Sequence, residues 1–158
     1  MTATQQIDFV IHSIPAEVLD RVRSSGLDEA GTPAVSLCAR GGEPLRCCLR
    51  DARTREDIIL FGYAPALPPS PYRETGAVYA HRTDCAGPAQ ADAYPHDWRH
   101  RPQVLRAYDK RGWIHSASRT HDGDDPAAEI MRVLAEPGVV EVHSRNIVHG
   151  CLMFVATR

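Results

Sequence analysis

Ser70-Pro-Tyr-Arg-Glu-Thr-Gly-Ala-Val-Tyr-Ala-His81 decides how the rest of the chain is read. A loop with prolines at 65, 68, 69 and 71 runs into Gly76 and then an alternating segment ending at His81, with Cys85 four residues on. Strand side chains alternate between faces, so Ala77, Tyr79 and His81 share one face of this segment. Upstream, Asp57-Ile-Ile-Leu-Phe-Gly-Tyr63 is a nearly continuous apolar run and reads as a central strand. Residues 45–50 read as a further strand, with Arg46, Cys48 and Arg50 opposite Leu45, Cys47 and Leu49. Residues 34–39 suggest a short strand between the turns at 27–33 and 41–44. Nearer the start, residues 7–14 are rich in β-branched side chains. A helix follows, with Pro15 in its first turn, Glu17 at its positive end, Val18, Leu19 and Val22 as its apolar set and Gly26 as its stop.

Downstream, residues 83–102 form a long polar loop, and a loop of that length is usually functional or mobile. Residues 103–109 and 112–118 suggest a hairpin turning at Asp109 to Gly112. Asp125 and Pro126 open a second helix as cap and first-turn residue. Ala127, Ile130, Met131 and Leu134 follow the spacing of its core-facing side. Residues 139–145 and 151–157 are two last strands. Strands in runs with few helices predict an α+β fold: one mostly antiparallel sheet of about seven strands, two helices packed on one face, and a single domain spanning 1–158.

Bulk properties narrow the function. The 158 residues carry a formal net charge of −2, so no basic footprint points to nucleic acid or a membrane surface. Basic residues are 17 Arg and one Lys, Lys110, a bias a GC-rich genome produces. Five cysteines, an odd number with Cys47 and Cys48 adjacent, do not form a secreted disulfide framework. The first residues, Met-Thr-Ala-Thr-Gln-Gln, do not resemble a signal peptide, and no apolar run approaches the ~18 residues of a membrane span. The expected setting is the reducing cytoplasm.

Four stretches together resemble a bacterial family, the domain of unknown function 1203. They are Arg46-Cys-Cys-Leu-Arg-Asp-Ala52, Ser70 to Gly76 with its strand to His81, Leu105-Arg-Ala-Tyr-Asp109, and Val142-His143 followed by Asn146 and Gly150-Cys151. They run from about residue 44 to the C-terminus. The family segment continues from its glycine into proline, whereas Ala77 stands here. The resemblance implies a bacterial source. It implies no reaction and transfers no functional residue.

Strand parity supplies the candidate site. On a sheet whose apolar side faces helices, the opposite side would carry Arg46, Cys48 and Arg50 from one strand and Tyr79 and His81 from another. It would also carry Arg106 and Tyr108, and Glu141, His143 and Arg145. The plain alternative is a solvated second face. The residue types argue for more: arginine forks hold carboxylate or phosphate, histidine moves protons near neutrality, and tyrosine donates to a developing oxyanion. Arg106 and Arg145 are the candidate anchors for a small anionic ligand, and Tyr108, Asn146, Arg46 and Tyr72 complete the binding set. His143 or His81 is the candidate base, Tyr79 a donor and Cys151 a candidate nucleophile. A metal is the next reading: His81-x3-Cys85 and His143-x7-Cys151 provide two nitrogens and two sulfurs, enough for tetrahedral zinc, or for iron. No glycine-rich phosphate loop, nucleophile elbow or dinucleotide fingerprint is present. The leading expectation is a small cytoplasmic bacterial enzyme of lyase, isomerase or cyclase type. It would act by acid–base chemistry on a small anionic molecule without a cofactor, and a homodimer is compatible with it. The alternatives are a non-enzymatic binding module and a zinc- or iron-binding protein.

Overall fold

The computed structural model describes residues 8–90 and 93–158. Ile7, at the start of the expected first strand, and the leading residues read for a signal peptide lie outside them, as do Ala91 and Asp92 in the long loop. The described strands are β1 (Val10–His12), β2 (Val35–Cys38), β3 (Pro44–Leu45), β4 (Arg50–Asp51), β5 (Asp57–Tyr63), β6 (Gly76–His81), β7 (Gln103–Tyr108), β8 (Arg119–His121), β9 (Glu141–Asn146) and β10 (Leu152–Thr157). The helices are α1 (Ala16–Ser25) and α2 (Pro126–Ala135).

The expected single sheet of about seven strands is instead two sheets of five, ordered β1-β10-β9-β7-β8 and β2-β5-β6-β3-β4. Every pairing is antiparallel except β3 with β6, so the α+β class stands. Hydrophobic alternation reports which residues share a face of one strand, not which sheet the strand joins; that depends on long-range pairing. The chain accordingly forms two compact units. Among the described residues one holds 8–12, 66–73, 90 and 93–158, the other 13–65 and 74–89.

In the unit built on β5 and β6, α1 is amphipathic as expected. Val18, Leu19 and Val22 are buried in one cluster with Leu45, Ile58, Phe61 and Val78. Gly26 ends α1 in the left-handed region (φ 71°), its N–H donating to Val22 O at 2.8 Å. A side chain there would be strained, which is the reason for glycine. β5 lies between β2 and β6 and is buried on both faces through Ile58, Ile59 and Phe61, as its continuous apolar run suggested.

Residues 45–50 depart from the predicted strand. Only their ends pair, and between them Leu49 N–H donates back to Leu45 O at 2.9 Å, closing one helical turn. Leu49 exits that turn at φ 57°, a left-handed position that glycine usually signals in sequence. A helical turn rotates successive side chains by ~100° rather than 180°, so Cys47 and Cys48 are not on opposite faces.

In the other unit, α2 starts as predicted, with Asp125 Oδ1 accepting from Ala128 N at 3.2 Å. It lies against β7 and β9, so the two helices do not share one sheet face as expected. Met131, expected in its core, is 36% exposed, while Val133 is fully buried. The hairpin turn at Asp109 to Gly112 is present, with Gly112 N–H donating to Asp109 O at 3.0 Å. Its second arm pairs only through Ile114 before β8 rejoins β7 at 119–121. A side chain at Gly112 would meet Pro68 O at 2.9 Å, and Ser70 Oγ donates to Gly112 O at 2.8 Å. The proline loop is thereby fastened to this turn. Trp98, read as a loop residue, is fully buried and stacked on Phe154.

Candidate metal centre

β3 lies parallel to β6 with Leu45 opposite Tyr79, and Arg46 N–H donates to Tyr79 O at 2.9 Å. The helical turn begins there, so it rises beside the last residues of β6. His81 N–H donates to Cys47 Sγ at 3.2 Å. His81 Nδ1 stands 3.5 Å from Cys47 Sγ and 3.8 Å from Cys48 Sγ, and the two sulfurs are 3.9 Å apart. Cys85 joins from the loop after β6, and the four ligand atoms lie within 4.8 Å of one another. It is the only such group among the described residues.

These spacings fit a tetrahedral site. Bonds of ~2.3 Å to sulfur and ~2.0 Å to nitrogen place two sulfurs ~3.8 Å apart and sulfur and nitrogen ~3.5 Å apart. The observed edges of 3.9, 3.5 and 3.8 Å fall close to both values.

The surrounding groups fix the histidine. His81 Nε2 is 2.6 Å from Glu56 Oε2, a contact that needs the proton on Nε2 and, in the neutral ring a metal requires, leaves the Nδ1 lone pair toward the thiols. Arg50 grips Glu56 with both terminal nitrogens, at 2.8 and 2.9 Å. That grip holds the Glu56 carboxyl far below the usual carboxylate range and raises Arg50 in turn. A ligating imidazole commonly has this kind of carboxylate brace on its far nitrogen. From α1, Arg23 Nε and Nη2 donate to His81 O at 3.2 and 3.0 Å and secure the strand end.

The thiols are coupled. Cys47 donates to Cys48, which pushes Cys47 far above its ordinary value, with burial adding to the effect; the same bond lowers Cys48. Burial raises Cys85. Binding a metal would therefore release protons from Cys47 and Cys85.

The sequence-predicted residues divide between the two sheets. His81 and Tyr79 share one face of β6, but Tyr79 is packed against the core cluster rather than in the Cys/His group. Arg46 lies on the turn, 2% exposed, with Nη1 donating to Pro44 O, so Arg46, Cys48 and Arg50 do not share a strand face. Tyr72 is 37% exposed and packs edge-on against Trp113 at 5.6 Å. Arg106, Tyr108, His143, Arg145 and Asn146 all belong to β7 and β9 of the other sheet. These residues therefore do not share one sheet face as expected. The expected metal pairings hold for His81 and Cys85 only. Cys151 is beside β10 and directs its thiol to His149 O at 3.8 Å, and His143 faces Glu141. Cys47, Cys48 and Glu56 were missing from the expected metal set. The adjacency of the two cysteines was their only signal.

No helix among the described residues is long and apolar enough to cross a membrane. The model of a protein family of unknown function, DUF1203, matches residues 42–158, which include all four members of the cluster and Glu56. No curated protein and no solved structure matches the chain.

Proposed function

The chain belongs to the DUF1203 family of unknown function, and on its own residues we propose that it is a metal-binding protein holding one zinc ion through Cys47, Cys48, His81 and Cys85. The observation that carries this reading is the match between the sulfur–sulfur and sulfur–nitrogen separations and the edges of a zinc tetrahedron. Three thiolates and one imidazole favour zinc over magnesium, calcium or manganese, and ferrous iron is the next best fit. Four protein ligands leave no coordination position for a substrate, so the role is structural. The ion would tie the turn after β3 and the loop carrying Cys85 to the end of β6. The reducing cytoplasm expected from the sequence is the compartment in which such thiols stay available.

Elemental analysis of the purified full chain tests the reading. One zinc per chain is expected, and Cys48→Ser should lose it while wild type retains it. A metal-free wild type that cannot be reconstituted would overturn the proposal, and so would full zinc content in the double variant Cys47→Ser/Cys48→Ser.

A further inference from the structure

A second histidine is held the same way in the other sheet. His143 sits on β9, fully buried, with Nε2 2.7 Å from Glu141 Oε1. A carboxylate at that distance requires the proton on Nε2, and in the neutral ring that burial favours Nδ1 is a bare acceptor. Among the described residues Nδ1 has no hydrogen-bond partner. Tyr108, also fully buried, lies with its ring 4.4 Å from the imidazole, and its hydroxyl has no partner among them either. Buried polar groups are almost always paired, so two orphans side by side point to an occupant.

The strand register places charge on the same face. Arg106 lies directly opposite His143, Tyr108 opposite Glu141, and Arg145 opposite Val104. Both arginines have other partners: Arg145 Nη1 donates to Gly150 O at 2.9 Å, and Arg106 is also engaged. Their contribution here is positive charge near the imidazole rather than a free donor. Arg106 and Glu141 are the half-buried members of the set.

We propose that this face of β7 and β9 binds a small hydroxycarboxylic acid, its hydroxyl donating to His143 Nδ1 and its carboxylate drawn toward Arg106 and Arg145. The chemistry of the orphan atoms selects that class. Nδ1 needs a donor, Tyr108 can donate to or accept from the same oxygen, and the arginines favour an anion. His143 then selects the hydroxyl as a hydrogen-bond acceptor, its tautomer held by Glu141, and no proton need be transferred for binding. This site shares no residue with the metal centre, so either proposal can fail without the other.

Calorimetric titration of the full chain with glycolate, lactate and malate, each against acetate, propionate and succinate, tests it. Each hydroxy acid should bind about tenfold or more tighter than its deoxy counterpart, the effect of one buried hydrogen bond. Tyr108→Phe, which keeps the ring and its packing, should shrink that ratio. Nitrogen NMR of the wild-type imidazole should show a protonated Nε2 and a bare Nδ1 that shifts on titration. An Nδ1–H tautomer, equal affinity within each acid pair, or no binding by any hydroxy acid would overturn the proposal.

Discussion

His81 and His143 make a controlled comparison within one chain. Each is on a strand, each has Nε2 within 2.7 Å of a glutamate, and each therefore offers Nδ1 as a lone pair. What faces that lone pair differs. Around His81 it is three thiols; around His143 it is a tyrosine ring and two arginine charges. The carboxylate brace thus sets the tautomer, and the surroundings set the chemistry: soft ligands for a metal in one unit, a hydrogen-bond acceptor in the other. A histidine and its brace alone do not reveal a function.

The sharpest way to break the comparison is to remove one brace at a time. Glu56→Gln is expected to weaken zinc binding about 10–100-fold, the usual range for an outer-shell partner, while Glu141→Gln leaves zinc affinity unchanged. Competition against a chelator of known affinity measures both. Equal effects of the two changes would mean that the histidines are not separate sites.

A smaller effect separates them by pH. Burial lowers His143 below the ordinary histidine value, against the pull of Glu141, and Arg145 and Arg106 push the same way. Burial also lowers His121. Below about pH 6.5 the unfolded chain takes up protons that these buried rings resist, so stability should fall as pH drops through that value. Melting temperature from pH 8 to pH 5.5 reads this. His143→Asn should flatten the slope in part, with His121 supplying the remainder. An unchanged slope in that variant would remove His143 as a cause.

The smallest effect concerns the helix beside β7 and β9. Asp125→Ala removes the cap of α2 and should cost about 1 kcal/mol in denaturant unfolding, with zinc affinity unaltered. Loss of zinc in this variant would show that the metal centre depends on the other unit.

Much of the fold was legible because it is written in local chemistry. α1 with Gly26, β5 as a continuous apolar run, the turn at Asp109 to Gly112 and the Asp125 start of α2 each follow from adjacent residues. The division into two sheets was not legible, since alternation along β7 or β6 is the same whichever sheet receives the strand. The metal centre was half legible, in His81 and Cys85. The other half was hidden by Leu49, which takes a left-handed backbone without being glycine and so conceals a turn inside an alternating run. Glu56 gave no sign either, because its role depends on meeting His81 across 25 residues.

That turn has a consequence for length variation. Deleting one residue from 45–49 would swing one cysteine about 100° around the turn and out of reach of its neighbour. Insertions in a flexible loop, by contrast, cost only about 0.6 kcal/mol for each doubling of its length. Chains that keep this centre can therefore differ in the spacing from Cys48 to His81, yet must keep the two cysteines adjacent. The pair of cysteines, not the overall span, is the signature to search for.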